Sequence, residues 1–482
     1  MREPPQDRLR DENERPIQGQ RDFVLYWMVA SRRTRHNFAM DRAVAWAVRL
    51  RRPLVVLEAL RCDYPYASER IHRFILEGMA DNARSLKSKP VLYHPYVETA
   101  RGAGKGLLAA LAKSACIIVT DRFPAFFLPR MLKTAAAKVD VRLESVDGSG
   151  LLPLSASPKA FARAHDFRRY LHRELPHHLA EFPKASALSG VDLPRLKHPP
   201  DAIRRRWPPA PPNLLKGTGL EKLPLDKTVP SVTLRGGMES AKTTLNEFLE
   251  RGLPAYAEGH SHPDAEATSG LSPYLHFGHV GSHQIFSALL DRLDGSMERI
   301  GRSAENWWGL GPNAEAFFDQ LVTWRELGFN FCALRDDADR YAGLPVWARD
   351  TLERHKKDRR PNHYDFPTLA GARTDDALWN AAQRELLATG RIHNYLRMLW
   401  GKRVIQWTRE PEEAFRLLIR LNDTYALDGR DPNSYNGIGW VFGRYDRPWP
   451  ERPIFGKVRY MTSASTRRKL HLSRWLARYS DT

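Results

Sequence analysis

The chain has 482 residues, which is more than one ordinary hydrophobic core accommodates and predicts two or three domains. Its 42% of hydrophobic residues excludes a wholly disordered chain, and the lack of any apolar run of about 18 residues excludes a membrane-spanning helix. With 75 basic and 56 acidic residues the formal net charge is +19, which favours a polyanionic partner over a basic surface kept only for solubility.

The three cysteines, Cys62, Cys116 and Cys332, are odd in number and widely spaced. This spacing argues against a disulfide framework or a zinc site and fits a reducing compartment, so no metal is expected. Residues 1–20 are charged and lack the apolar stretch of a signal peptide. We therefore expect a flexible N-terminal arm on a protein that is not secreted.

Residues 21–152 contain five short apolar runs that alternate with amphipathic stretches. The runs are "FVLYWMV", "PLVVLEAL", "VLYHPYV", "ACIIVTD" and "VRLESVD". This alternation predicts a doubly wound α/β domain with a parallel sheet, in which ligands bind at the carboxyl ends of the strands.

The periodicity changes twice after this domain. Residues 153–232 include the proline-rich "HPPDAIRRRWPPAPPNLLKG", which predicts an interdomain linker with one or two helices of its own. Residues 233–482 are helical in pattern almost throughout, with helix starts such as Pro411 followed by two glutamates. The sequence thus predicts a basic, all-helical second domain that is larger than the first.

The first candidate site in the helical domain is "SGLSPYLHFGHV", residues 269–280. Ser272 followed by Pro273 favours a helix start, with a hydroxyl to cap the helix and a proline in its first turn. Free N–H groups at such an end suit a phosphate group. The alternative is a plain capped helix.

The second candidate site is "RIHNYLRMLWGKRVIQW", residues 391–407. Trp400 and Trp407 share one helix face, about 10.5 Å apart along the axis, and Trp379 lies on the preceding helix. Arg397 and His393 also share a face. Tryptophans at this spacing either fill a core or form a relay of indoles that carries electrons between a buried redox centre and the surface.

The third candidate site is "RLNDTYALDGRDPNSYNGIGW", residues 420–440, in which a helix end passes into a polar, glycine-containing segment. Asn422, Asp428 and Asp431 are the amide and carboxylates that the polar edge of a flavin ring requires. A calcium-type or merely turn-rich acidic loop is the alternative. It fits poorly because the acids alternate with Arg430 and apolar residues.

Taken together, these motifs resemble one family. The order of an α/β domain, a long linker and a helical domain with "LSPYLHFG", "VTWRELGFNFC", "LWNAAQRELLATGRIHNYLRMLW", "LNDTYALDGRDPN" and "ERPIFGKVRYM" is similar to that of the photolyase and cryptochrome superfamily. Within it, the chain most resembles the class II cyclobutane pyrimidine dimer DNA photolyases, over roughly residues 21–479.

The resemblance implies a U-shaped FAD buried in the helical domain. Its reduced form would absorb near-ultraviolet or blue light and pass an electron to a flipped-out thymine dimer, which splits and returns the electron. UV-damaged DNA is then the expected partner, and a monomer in the cytoplasm or with the chromosomal DNA is the expected form. Two alternatives stay open: a photolyase for (6-4) lesions, and a non-enzymatic blue-light receptor of cryptochrome type.

The resemblance also implies roles for individual residues. Contacts with FAD are implied for Tyr256, Leu271, Ser272, Pro273, Tyr274, Leu275, Arg397, Asn422, Asp428 and Asp431. Asn422 would lie near the flavin N5 and favour the neutral radical during photoactivation, and Asp428 would pair with Arg397. Trp400 would be the indole nearest the flavin, Trp379 the outer indole and Trp407 a side branch. The dimer's pocket would be formed by Gln320, Trp324 and Trp440.

Further expectations concern the α/β domain and the C-terminal segment. Family members carry a second, light-harvesting chromophore such as a deazaflavin or a folate, for which Tyr26, Trp27 and Arg35 lie near the end of the first strand. Phosphate contacts are expected from Arg459, Arg467, Arg468 and Lys469, although a solvated basic face is the alternative.

The chain departs from the family pattern at two positions. Gln320 stands where a carboxylate is usual, and it can exchange hydrogen bonds but brings neither charge nor an acidic proton. His260 stands where an arginine is expected near the flavin. These departures point to an altered rate, lesion preference or pH sensitivity.

Overall fold

The N-terminal part of the chain folds around one six-stranded sheet. The structure, a computed structural model, describes residues 3–295, 297–301 and 306–480. The strands are β1 (Leu9–Asp11), β2 (Phe23–Met28), β3 (Leu54–Leu60), β4 (Val91–Val97), β5 (Ala115–Arg122) and β6 (Leu143–Asp147). Their order across the sheet is β1-β6-β5-β2-β3-β4, and all neighbours are parallel except β1 and β6. The five predicted strands are β2 to β6, so the predicted parallel sheet is confirmed.

Both faces of this sheet are buried. Alternate residues of β2 enter two separate apolar cores: Tyr26 lies in one and Trp27 in the other. The helices of this part are α1 (Phe38–Leu50), α2 (Glu69–Leu86), α3 (Leu107–Ala112) and α4 (Leu128–Lys138). Side-chain caps fix the first two, because Asn37 accepts two N–H groups of α1 and Ser68 accepts one of α2. The arrangement is the doubly wound one that the alternating runs predict.

Residues 3–20 pack against this sheet, so the flexible arm expected over residues 1–20 is wrong for the part that the structure describes. β1 is an edge strand, and the side chain of Arg8 just before it is 1% exposed. Its guanidinium lies 3.8 Å from the Asp147 carboxylate and donates to the Leu151 carbonyl at 2.7 Å. The contacts of Arg8 are polar, so they leave no pattern of apolar residues in the sequence. The charged composition of this segment therefore suggested a free arm.

The linker is packed rather than free. It contains α5 (Ala164–Glu174), α6 (Asp201–Arg206) and α7 (Pro212–Leu215), one helix more than the sequence predicts. Phe167, Leu171 and Leu175 are fully buried in a core that also contains residues of α2 and of the helical domain. The linker therefore joins the two parts of the molecule through shared apolar contacts.

The rest of the described chain is helical, as predicted. Its helices are α8 (Met238–Glu247), α9 (Tyr256–Gly259), α10 (Ser272–His276), α11 (Ser282–Arg292), α12 (Pro312–Phe318), α13 (Arg325–Leu334), α14 (Val346–Arg354), α15 (Phe366–Ala370), α16 (Ala377–Thr389), α17 (Asn394–Trp407), α18 (Pro411–Tyr425), α19 (Pro432–Val441), α20 (Ser463–Lys469) and α21 (Ser473–Tyr479). None of the described helices is long and apolar enough to cross a membrane. The three cysteines are buried and unpaired.

Two local features differ from the sequence pattern. The stretch "NAEAFFDQLVTWRELGFNFCAL" predicts one helix, but a π-helical turn, Asp319–Trp324, separates α12 from α13. A π turn contains extra residues and rotates the side chains that follow it, and such turns are frequent at functional sites. In the segment 420–440, only residues 426–431 lie outside helices, because α19 begins at Pro432.

Candidate functional site

The loop between α18 and α19 is held by the side chains of Asp423 and Arg430. The buried guanidinium of Arg430 donates to the Asp423 carbonyl in the last turn of α18 and to the carbonyls of Ala426 at 3.0 Å and Leu427 at 3.2 Å, which follow that helix. The Asp423 carboxylate accepts the Arg430 N–H at 2.8 Å and the Tyr435 hydroxyl at 3.1 Å. Burial raises the pKa of Asp423, although the charge of Arg430 opposes this effect. These bonds give the loop one fixed conformation.

One charged group faces this loop from α17. Arg397 Nη2 lies 3.1 and 3.2 Å from the two carboxylate oxygens of Asp428, and Nη1 donates to Asn422 Oδ1 at 3.3 Å. The Asn422 amide in turn donates to Asp423 Oδ1 at 3.0 Å. Burial alone would raise the pKa of Asp428, but the charge of Arg397 and a hydrogen bond from Ser272 hold it below its ordinary value. The result is an ionised carboxylate paired with a fixed cation, beside an oriented amide.

The segment 271–275 brings Ser272 to the pair of Arg397 and Asp428. The sequence predicts that Ser272 caps a helix, but in the structure it does not. The N-cap of α10 is Leu271, which makes no side-chain bond, and Ser272 is the first helical residue. Ser272 is exposed and its hydroxyl bonds Asp428 instead. Leu271, Pro273 and Tyr274 are buried, Leu275 is half-buried, and the Tyr274 hydroxyl donates to the Arg235 carbonyl at 2.8 Å.

The Tyr256 ring packs among Phe248, Phe317 and His260. The Tyr256 ring stacks on His260, with 4.9 Å between ring centroids and 15° between planes. His393 lies close enough to His260 to interact electrostatically, and burial lowers the pKa of His393 to about 4. Both ring nitrogens of His393 are buried and have no hydrogen-bond partner. Such an imidazole is unusual, because buried polar atoms nearly always have a hydrogen-bond partner.

Asp431 has its partners within the protein. One carboxylate oxygen caps α19 by accepting the Asn433 N–H at 2.8 Å, and the other lies 3.1 Å from His276 Nδ1. Asp431 thus differs from Asp428, whose carboxylate pairs with the guanidinium of Arg397. The sequence did not single out His276.

The three tryptophans of the second candidate site form one contiguous group. The rings of Trp379 and Trp400 are parallel within 4° with centroids 6.3 Å apart, and Trp407 contacts Trp379 edge-on at 5.4 Å. Trp379 therefore contacts both other indoles, and it is fully buried. Tyr364, which the sequence did not indicate, contacts Trp407 edge-on at 5.0 Å, and its hydroxyl bonds the Asp375 carboxylate. The group thus extends toward the surface through Trp407 and Tyr364.

Trp324 and Trp440 form a separate aromatic pair. Their ring centroids are 4.9 Å apart and their planes meet at 55°. Both side chains are half-buried, as is Gln320, which lies in the same π turn as Trp324. On the face of α19 that carries Trp440, a methyl group added to Gly437 would meet nothing within 4 Å. The pair therefore borders open space into which planar groups can stack.

A cleft lies between the carboxyl ends of the strands and the helical domain. Its volume is about 140 Å³, and among its lining residues are Trp27, Arg32, Phe126, His276 and Arg430. Trp27 was expected here, whereas Tyr26 points to the opposite face of β2, where its hydroxyl donates to Asp121 at 2.8 Å. Arg35 is exposed and does not line this cleft.

The basic residues of the C-terminal segment are on the surface. Arg459, Arg467, Arg468 and Lys469 are all exposed, and the Arg459 guanidinium lies 5.3 Å from the ring of Trp449, which is 40% exposed. Among the described residues, no group of three or more His, Cys, Asp or Glu side chains is arranged to hold a metal ion.

Comparisons with known proteins are consistent with this arrangement. No family model matches the sequence. The chain is 32% identical over 474 residues to the deoxyribodipyrimidine photo-lyase of Methanothermobacter thermautotrophicus, covering 98% of each chain. It is 33% identical over 464 residues to that of Potorous tridactylus, covering 95% of this chain and 81% of the relative.

Among solved structures, the fold matches a bacterial class III photolyase from Agrobacterium tumefaciens with a TM-score of 0.69 at 18% identity. The match covers 95% of this chain and 86% of that chain. The chain therefore belongs to the photolyase and cryptochrome superfamily, within which it is a photolyase-type DNA repair enzyme.

Proposed function

We propose that this chain repairs cyclobutane pyrimidine dimers in DNA with the energy of blue or near-ultraviolet light absorbed by a bound FAD. The observation that carries the proposal is the course of α19. Its first turn is fixed by Asp431 beside the loop that contains Asp428, and its last turn carries Trp440 of the aromatic pair. One short helix thus links a site suited to a flavin with a site suited to extruded bases.

The residues around the loop fit a flavin nucleotide. The unsatisfied imidazole of His393 and the exposed hydroxyl of Ser272 offer polar partners, and Tyr256 offers an aromatic neighbour. The ion pair of Arg397 and Asp428 supplies a fixed dipole at the polar edge of such a ring. When bound, reduced FAD supplies the light-excited electron donor for dimer splitting and recovers the electron, without net redox change.

The protein's own groups orient and tune this site. Arg397 holds the Asn422 carbonyl oxygen, so that the amide keeps a single orientation. The low pKa of Asp428 keeps its carboxylate ionised at neutral pH, so it accepts hydrogen bonds and does not donate them. The tryptophan group supplies closely spaced aromatic rings from Trp400 through Trp379 and Trp407 to Tyr364, which suits electron delivery from the surface.

The proposed substrate site consists of two aromatic side chains and one amide side chain. Trp324 and Trp440 would stack against the two extruded pyrimidines and replace the base stacking of the duplex. Gln320 would exchange hydrogen bonds with the bases without placing a negative charge beside them. Lesions already stack poorly, so extruding them costs less than extruding a normal pair.

The net charge of +19 suits the DNA backbone. Exposed arginines and lysines near the C-terminus, such as Arg459 and Lys469, would contact phosphates, and binding should weaken steeply with salt. UV-damaged DNA is accordingly the partner that we propose, with a monomer as the acting form.

The cleft at the strand ends suits a second, light-harvesting chromophore. It is largely aromatic and apolar, and three arginines also line it: Arg32, which pairs with Glu58, Arg61, which pairs with Asp63, and Arg430. A deazaflavin or a folate, each planar and anionic, matches these walls. Because Arg430 also holds the loop of Asp428, such a chromophore would lie next to the flavin site.

One substitution favours a second candidate function. Gln320 replaces a carboxylate that the resemblance leads one to expect, and this raises the (6-4) photoproduct as an alternative substrate. A blue-light receptor without enzymatic activity is the remaining alternative.

The proposal is tested with single strands that carry one cyclobutane thymine dimer or one (6-4) lesion. The photoreduced protein is mixed with each strand, and recovery of intact thymine absorbance is followed under blue light and in the dark. We expect light-dependent recovery on the dimer strand only. Recovery on the (6-4) strand only would assign the sibling activity, and no recovery on either strand with a normal flavin spectrum would favour the receptor.

A further inference from the structure

The linker reaches the aromatic pair through one arginine. Arg168 of α5 places its Nη2 atom 2.6 and 2.7 Å from the two carboxylate oxygens of Asp319, the first residue of the π turn. The Arg168 and Asp319 side chains are 38% and 31% exposed. The contact is thus an ion pair at the rim of the site, between the linker and the segment that carries Gln320 and Trp324.

The same guanidinium lies over an indole of the pair. Its central carbon is 5.3 Å from the centroid of the Trp324 ring. Trp324 in turn contacts Trp440 at 4.9 Å, so Arg168, Trp324 and Trp440 form a continuous line of contacts across the rim. A cation at this distance from an indole face is attracted electrostatically by the ring.

The position of Arg168 is itself fixed. Phe167 and Leu171 on the inner face of α5 are fully buried. One turn further along, His172 stacks on Trp307 with 4.4 Å between centroids and 14° between planes. α5 therefore cannot slide along the helical domain without breaking these contacts, and the guanidinium has a rigid base.

We propose that Arg168 is a positioning residue for substrate recognition, which holds the Trp324 indole at the angle that receives the extruded lesion. This inference rests on the proposed function. Asp319 holds the guanidinium through its Nη2 atom, and the guanidinium lies over the Trp324 ring, so the indole keeps one orientation before substrate arrives. Preorganisation of this kind improves affinity because less side-chain entropy is lost on binding. The linker thus contributes a residue to the lesion-recognition site in addition to connecting the two parts of the molecule.

The test compares Arg168→Gln, which removes the cation but keeps a side chain of similar reach, with Arg173→Gln as the matched control. Arg173 lies on the same helix, lies 5.2 Å over the Tyr170 ring and pairs with Glu174, away from the aromatic pair. Dark binding is measured by titration with a strand that carries one dimer and with the same undamaged strand. Flavin content and melting temperature verify that both variants are folded.

We expect Arg168→Gln to lose about fivefold in affinity for the dimer strand and less than about twofold for the undamaged strand. Repair per absorbed photon at saturating substrate should stay close to that of the wild type, because Arg168 touches neither reacting group. The affinity of Arg168→Lys should fall between those of the wild type and Arg168→Gln. An ammonium keeps the pairing with Asp319 but lacks the planar guanidinium that lies over Trp324. Asp319→Asn, which frees the guanidinium without removing it, should weaken dimer binding in the same direction.

Equal losses on both strands with a shallower salt dependence would overturn the inference, because they would make Arg168 a phosphate contact. Losses no larger than those of Arg173→Gln would also overturn it. A wild-type protein that binds damaged and undamaged strands equally would refute the proposed function, whereas wild-type discrimination that Arg168→Gln retains would refute the inference alone.

Discussion

At the scale of single residues, the loop between α18 and α19 depends on the pairing of Arg397 with Asp428. The two side chains are 16% and 14% exposed, so an unpaired Asp428 carboxylate would lie in a largely dry environment. Removing one partner of such a pair leaves a poorly solvated charge, which costs more than the intact pair contributes. The site therefore tolerates loss of both charges better than loss of one.

We predict that Arg397→Met lowers the free energy of unfolding by about 2 kcal/mol and strongly reduces the flavin content of the purified protein. The matched control is Arg403→Met on the same helix. Arg403 pairs with Asp376 at 2.7 Å with similar exposure, away from the loop. Absorbance spectra and urea unfolding separate the two effects, because the control should lose stability but keep its flavin. Equal flavin content in both variants would contradict the assignment of Arg397.

A second residue-scale prediction concerns Gln320. If its amide bonds the extruded bases, Gln320→Leu should weaken dark binding of the dimer strand by about two- to tenfold, the equivalent of one hydrogen bond. Gln320→Glu should keep the hydrogen-bonding reach and make binding depend on the ionisation of the new carboxyl. Unchanged affinity in the leucine variant would mean that Gln320 does not touch the substrate.

At the scale of elements, the sequence predicts well those strands and helices whose apolar residues recur at a regular spacing. The five strands and most helices are found where the patterns place them. The π turn at Asp319–Trp324 could not be predicted, because an extra residue in one turn barely changes an apolar pattern. For the same reason, periodicity did not place Trp324 beside Trp440. Only the family resemblance assigned both residues to one pocket.

Contacts between elements were harder to predict than the elements. Spacing placed Trp400 and Trp407 on one face of α17, but only the packing of α16 against α17 puts Trp379 between them. In β2, alternation places Tyr26 and Trp27 on opposite faces, and the sequence does not say which face meets the cleft. Sequence reasoning therefore included Tyr26 in the cleft and omitted Arg32.

One arginine of α2 ties two functional helices to the α/β part. Arg70 is 2% exposed, and its guanidinium donates to the Leu387 carbonyl of α16 and the Tyr425 carbonyl of α18, both at 2.6 Å. It also bonds the Pro230 carbonyl of the linker at 3.0 Å. Burial lowers the pKa of Arg70 to about 10, and a cation at two helix C-termini is favoured by both dipoles.

We predict that Arg70→Met lowers the free energy of unfolding by about 3 kcal/mol, because several buried carbonyls lose their donor at once. Arg73→Met on the same helix is the control. Arg73 forms a more exposed pair with Glu77, and its loss should cost less than about 1 kcal/mol. Urea unfolding of both variants checks the difference, and similar values for the two would show that Arg70 does not hold these helix ends.

The tryptophan group gives a second prediction at this scale. Trp379→Phe should slow light-driven reduction of the bound flavin by an external reductant about tenfold or more, because the central ring of the group is lost. Repair by protein that has been reduced chemically should be unaffected. Trp207→Phe, at a buried position of the linker that packs against the sheet, is the control. A normal rate in Trp379→Phe would mean that electrons reach the flavin by another route.

At the scale of the whole molecule, the two parts are joined by buried polar bonds as well as by apolar contacts. Glu326 at the start of α13 accepts the N–H groups of Leu151 and Leu152, which follow the last strand, at 2.6 and 2.9 Å. Arg325 beside it donates to the Ser149 carbonyl at 2.9 Å. Chain length predicted two or three domains, but such bonds join residues far apart in sequence and have no local signature.

The junction at Glu326 makes the stability of the joined molecule depend on pH. Burial raises the pKa of the Glu326 carboxyl to about 7 from an ordinary value of 4.5. The folded protein thus holds this proton more tightly than the unfolded chain. The contribution of Glu326 is fully present below about pH 4.5 and is lost as the pH rises through 7.

We therefore expect the stability of the wild type relative to Glu326→Gln to fall between pH 5 and pH 8, by at most about 3 kcal/mol, because the amide cannot ionise. Urea midpoints of both proteins, measured in parallel across this range, give the difference directly and cancel the titration of all other groups. A difference that stays constant would show that the carboxyl remains ionised at the junction. A difference that rises with pH would mean that Arg325 and Arg8 outweigh burial there, so that the junction is a true ion cluster.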